Sequence, residues 1–170
     1  MNANNFIQEL SLLTSSLNEL NGYSEKFINN LLDSYNLKPL KIVQDTDMPI
    51  IDLISSCDVS KVDISMIRFN EKIEHTKSFL IFGRLDAFPL AINEVSGEIV
   101  ELDWDNLNFV VSYCSKNQTS FLDCLIEVEK VNILKFKNAI SEIDLKEEIS
   151  RIAKLSGGNK YFNFYQQILE

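Results

Sequence analysis

Four carboxylates crowd one short stretch of the chain: Glu94, Glu98, Glu101 and Asp103. Asp86 and Asp105 bracket them, and no Lys or Arg falls between residues 86 and 105. Two neighbouring carboxyls can do acid–base work when one is held protonated and the other ionised. Glu101 and Asp103 are the pair that strand alternation would place on one face. Nothing beside them supplies the apolar wall that would raise a pKa, so a solvated face, or one turned to a partner, is the plainer expectation. Other chemistry is sparse. His75 is the sole histidine, and its neighbours Glu71 and Glu74 do not repeat in a ligand pattern, so no metal site is expected. A nucleophile needs a base in reach, and no Ser-His or Cys-His pairing is in view. Cys57, Cys114 and Cys124 are odd in number and lack CxxC spacing, which fits reduced, packed thiols in a cytoplasmic protein. GxGxxG and Walker patterns are absent, and no cofactor is expected.

The elements that must position these acids form a single expected domain over residues 1–170, with 45% hydrophobic and 24% charged residues. Net charge is −9, and its excess lies mostly in the second half. Such a field repels phosphate backbones and attracts basic surfaces, so a direct nucleic-acid ligand is not expected. No window is apolar enough to span a membrane. The stretch MNANNFIQELSLL lacks the basic n-region and unbroken apolar run of a signal peptide. Oligomeric state is left open.

Phe6, Leu10, Leu13, Leu17 and Leu20 recur at helical spacing, with Gln8, Ser15 and Asn18 off the stripe. Ser24 is placed to cap a second helix bearing Phe27, Leu31 and Tyr35, closed by Pro39. Both stripes are expected to face one sheet. LKIV reads as a short strand, MPIIDLIS as a strand or a helical turn, VDISMIRF as a strand, and NEKIEHTK as a turn or short edge segment. SFLIFG reads as a buried strand. FPLAIN and GEIVELDW form a hairpin through Ser96-Gly97. Its second strand should bury Val100, Leu102 and Trp104 and turn Ile99, Glu101 and Asp103 outward. NFVVSYC is another apolar strand. Asn117, Thr119 or Ser120 then caps a long helix whose buried stripe is Phe121, Cys124, Leu125 and Val128. Another amphipathic helix, EIDLKEEISRIAKL, stops at Gly157-Gly158, and a last one carries Tyr161, Tyr165, Ile168 and Leu169. Helices, then a run of strands, then helices indicate an α+β fold: a central, mainly antiparallel sheet packed by N-terminal and C-terminal helices.

The order FLIFG, LAINEVSGEIVELD, NQTSFLDCLIEVEK resembles the SUKH superfamily, named in part for the fungal Smi1/Knr4 proteins, and is most similar to its bacterial SUKH-4 branch. Gly83 matches the glycine ending the family's first strand. Ile92, Gly97 and Ile99 match its hairpin, Asn117 its helix cap, and Phe121 and Leu125 the helix itself. KYFNFYQQILE resembles the family's final aromatic helix. Every matched residue is structural in character.

The resemblance implies a non-enzymatic binding fold. Bacterial members are mostly regarded as immunity proteins that neutralise polymorphic toxins, many of them nucleases. Such toxins are basic, and an acidic binder complements them. The expected partner is therefore a cognate, basic toxin domain met by Glu94, Glu98, Glu101 and Asp103. The alternative is a housekeeping regulatory module binding a host protein, as the fungal relatives suggest. A small enzyme using the carboxylates would instead need a deep pocket around a carboxyl of raised pKa.

Overall fold

Strands follow one another through the middle of this chain and pair in that same order. The computed structural model describes residues 1–17, 20 and 22–170. Asn18 therefore lies outside the described residues. Two helices come first, α1 (Ala3–Leu17) and α2 (Glu25–Tyr35). A two-residue strand β1 (Lys38–Pro39), helix α3 (Pro49–Ser56) and strand β2 (Cys57–Asp58) follow, with β1 pairing β2. Next come β3 (Asp63–Ile64), β4 (Ile67–His75), β5 (Phe79–Leu85), β6 (Phe88–Asn93), β7 (Ile99–Leu102) and β8 (Val110–Ser115). They form a six-stranded antiparallel sheet in the order β3-β4-β5-β6-β7-β8. Helices α4 (Gln118–Phe136) and α5 (Glu142–Ser156), a 3-10 turn at Asn159–Tyr161 and α6 (Phe162–Leu169) close the chain.

One face of the sheet carries Leu80, Phe82, Leu90, Ile92 and Ile99 into the main core beneath the helices. Helix α4 brings Phe121, Cys124, Leu125 and Val128, all fully buried, as its stripe predicts. The Phe82 and Phe121 rings meet edge to face with centroids 5.7 Å apart, and Phe164 of α6 extends the stack. Asn117 caps α4 by accepting from the Ser120 N–H at 2.8 Å. Gln118 also ties α4 to α3, its Oε1 accepting from the Ile50 N–H at 3.0 Å. The other face holds a smaller cluster of strand residues: Phe79, Ile81, Ala91, Val100 and Leu102.

Several expectations are corrected, and two that were open are decided. LKIV is not a strand: the short ladder to β2 ends at Pro39, the Leu40 and Lys41 N–H groups both turn to the Ser56 carbonyl, and Leu40 and Ile42 are exposed. MPIIDLIS resolves as α3, with Pro49 pre-set for the first helical turn. VDISMIRF is two strands, broken by Ser65 and Met66 at φ 49° and 69°, the left-handed pair that a tight hairpin demands. Of the two readings of NEKIEHTK the edge segment holds: through His75 it extends β4, past the reach of β3 and paired with β5 alone. Helix α1 packs mainly on α2, α3 and α4 instead of on the sheet, because α3 and α4 lie between it and the sheet face.

Gly83 permits a close approach. A Cβ there would collide with the backbone carbonyl oxygen of Arg68 on β4. The ladder is irregular on both sides, between Phe69 and Glu74 and between Ile81 and Gly83.

The meander fixes which loops meet. The β3–β4, β5–β6 and β7–β8 turns lie at one end of the sheet, and the β4–β5 and β6–β7 turns at the other.

Candidate partner-binding surface

The β6–β7 turn is held by Asn93, whose Oδ1 accepts from the N–H groups of Val95 and Ser96 at 2.9 and 3.0 Å. Gly97 completes it at φ 73°. Glu94 is exposed at this turn. Glu98 is spoken for: its Oε1 accepts from Lys160 Nζ at 2.5 Å and from the Tyr161 hydroxyl at 2.8 Å. Lys160 also lies 3.7 Å from the centre of the Tyr113 ring. Burial opposes ionisation of Glu98, but the Lys160 and Tyr161 hydrogen bonds overcome it and hold its carboxyl below the ordinary value. Burial and the Glu98 charge push the Tyr161 phenol up to about 12. Stretch 86–105 lacks a base in sequence, yet one reaches it from residue 160.

Glu101 is a clear correction. It is buried, opposite Leu90 and Ser112 in the ladder, on the side of the sheet that the helices cover. Its Oε2 has no hydrogen-bond partner among the described residues, and burial pushes its carboxyl up. The nearby Cys114 thiol is raised well above its ordinary value, first by its own burial and then by the Glu101 charge. Asp103 is half-buried and turned to its own loop, where its Oδ1 accepts from the N–H groups of Asp105 and Asn106 at 2.8 and 3.3 Å. The four acids therefore do not share a face. Glu94 and Glu98 lie at one end of the sheet, Asp103 at the other, and Glu101 inside.

What the fold does assemble is apolar. Trp104, expected in the core, is 66% exposed in the β7–β8 turn. Phe109 is 57% exposed, and Leu107, Val111 and Tyr113 are also exposed. These residues run from the turn along β8, the last strand of the sheet, whose outer side pairs with no strand among the described residues; the Asn159–Tyr161 turn packs on β8, with Lys160 over the Tyr113 ring. Asp86, at the same end of the sheet, and Asp103 and Asp105 beside Trp104 give this row an acidic fringe. Exposed aromatics close together in the chain are the composition of an interface centre, and an unpaired strand is a template for an added one. The sequence held a signal for Trp104. It stands between two aspartates in an Asn-rich stretch, DWDNLN, which is turn chemistry rather than strand.

The thiols of Cys57, Cys114 and Cys124 are buried and unbridged. His75 is exposed at the end of β4. Among the described residues, no group of three or more His, Cys, Asp or Glu is placed to hold a metal ion, and no helix is long and apolar enough to cross a membrane. No family model, curated protein or solved structure matches the chain.

Proposed function

We propose that this chain is a binding protein of SUKH type that neutralises a cognate toxin by stoichiometric association in the cytoplasm. The observation that carries the reading is the row of exposed aromatics along the open edge of the sheet, fringed by Asp86, Asp103 and Asp105. An extended segment of the partner would add to the outer side of β8 through main-chain hydrogen bonds. Trp104 and Phe109 would anchor it as desolvated aromatic contacts. The acids would speed encounter with a basic surface, and a nuclease toxin offers one because it must hold phosphates. The resemblance to SUKH immunity proteins supports the toxin as partner, and the net charge of −9 supports its sign.

The test is a binding assay with candidate toxin domains taken from adjoining genes, followed by rescue of cells that express a domain shown to be toxic. Tight one-to-one binding with rescue is expected. Trp104→Ser with Phe109→Ser should lower affinity a hundredfold or more, at about 2 kcal/mol or above for a central aromatic anchor. Charge reversal at the exposed Asp105, with Asp103 left to hold the turn, should slow association and flatten its salt dependence. An active toxin that the chain neither binds nor counters would sink the proposal, as would a double-serine variant that binds like the wild type.

A further inference from the structure

On the far side of the molecule from β8, helices α2 and α4 diverge over the β3–β4 turn and leave a cleft of about 370 Å³. Phe27 and Leu31 of α2 and Phe136 of α4 give it apolar walls. The Phe27 and Phe136 rings stand edge to face at 5.5 Å, and Tyr23 buttresses both. The polar part of the lining centres on Glu129, a carboxyl only 2% exposed. Asn132 Nδ2 donates to Glu129 Oε1 at 2.8 Å and to Ser65 Oγ at 2.7 Å. Asn132 is the one donor to the Glu129 carboxyl among the described residues, and Oε2, which is not among the fully buried atoms left without a partner, keeps contact with the cleft.

A buried carboxylate ordinarily needs a cation, and the neighbouring ones are engaged elsewhere. From β4, Arg68 holds Asp63, the other acid of the cleft, at 2.8 Å. On α4, Lys130 pairs with Glu127 at 2.7 Å, and Lys135 donates to the Leu169 carbonyl. Helix α2 contributes no charged residue to the lining. The cleft thus offers one negative oxygen without a donor, aromatic faces and an aliphatic wall. A compact ammonium with three N–H donors and a short carbon stem matches all three.

We propose that the α2–α4 cleft binds a primary alkylammonium group, with its nitrogen on Glu129 and its stem against Phe27, Leu31 and Phe136. The group could belong to a free amine or to a lysine side chain of another protein, since both present the same chemistry. The site is independent of the β8 surface, which lies at the opposite edge of the sheet, and either can fail alone.

Calorimetric titration of the full chain with n-butylamine, Nα-acetyl-lysine amide and 1-butanol tests this. Saturable one-to-one binding of n-butylamine is expected, with 1-butanol, its neutral counterpart, at least tenfold weaker. Burial pushes the Glu129 carboxyl up to about 7. Affinity for the amine should therefore rise about tenfold from about pH 6 to about pH 8, as the ionised fraction of Glu129 grows. Glu129→Gln keeps the shape and the Asn132 contact, and should lose at least tenfold in affinity together with the pH dependence. Circular dichroism checks that this variant is folded, and the wild-type pH profile stands without it. Binding of the lysine amide alongside butylamine supports the site and assigns it to a protein side chain. Binding of butylamine alone supports it and assigns it to a free amine. Absence of binding by both cations, equal binding of butanol, or a pH-independent wild-type affinity would overturn the proposal.

Discussion

Replacing Glu129 by Gln should make this protein more stable, and only above the acid range. The carboxyl is 2% exposed and answered by one neutral amide, so burial raises it from an ordinary 4.5 to about 7. A group whose folded value is raised favours the folded state while protonated in both states. That advantage drains away as pH climbs from the unfolded value through the folded one. The interval, at about 1.4 kcal/mol per pH unit, makes the ionised carboxylate a liability of about 3 kcal/mol above pH 7. Because the group is buried, no discount for solvent screening applies. Gln presents the same amide-accepting oxygen and no charge. Urea unfolding followed by far-UV circular dichroism, run from about pH 4 to about pH 8, gives the difference directly. Other titrating groups are common to both proteins and cancel. Near pH 4 the two should unfold at the same urea concentration, and near pH 8 the variant should be ahead by about 3 kcal/mol. A pH-independent gap, or a variant less stable at pH 8, would show that Glu129 does not sit as an uncompensated buried acid.

Gly157→Ala should cost about 2–3 kcal/mol in the same assay. Its φ of 133° is hostile to any side chain, and the new methyl would lie 2.7 Å from the Tyr161 ring and 3.0 Å from the Lys116 Cβ. A change under about 0.5 kcal/mol would mean that the turn relaxes freely. Glu98→Gln should cost about 1 kcal/mol near neutral pH, a modest figure because its partner Lys160 is about half exposed. Since the Glu98 carboxyl is held below its ordinary value, that contribution should be present at neutral pH and vanish on acidification. Amide exchange in Phe162–Leu169 should quicken with the loss, and unchanged exchange there would argue against Glu98 as the tether of the C-terminal helix.

The sequence was most legible where one side of an element meets core and the other meets water. Helix α4 is the clearest case. Its stripe of Phe121, Cys124, Leu125 and Val128 and its cap at Asn117 are both in place. Gly83 and Gly97 also mark real geometric needs, a close approach and a left-handed turn. Strand β7 failed the same logic because both of its sides are covered. Ile99 faces the helices, Val100 and Leu102 join the second cluster, and Glu101 is buried among them, so alternation no longer separates inside from outside. Trp104 was misplaced by continuing that alternation past Leu102, where the strand ends. The partnership of Glu98 with Lys160 spans 62 positions, and no local reading of charge can see it. The same holds for Glu129, whose helix looks amphipathic while its cleft is made by α2 and the β3–β4 turn.

The matching of strand order to chain order bears on how the protein is made. Each strand from β4 onward finds its partner in the strand synthesised just before it, so the sheet can zip up through short loop closures without waiting for distant chain. Its roof is another matter. Helix α4 begins at Gln118, after the last strand, and it is α4 that lays Phe121 against Phe82. A growing chain therefore passes through a stage with the sheet complete, α3 already packed on β4 and β5, and the part of the apolar face that belongs under α4 still bare, with β8 unpaired on its outer side among the described residues. That interval is the one in which the nascent chain is most exposed to aggregation and most in need of a chaperone.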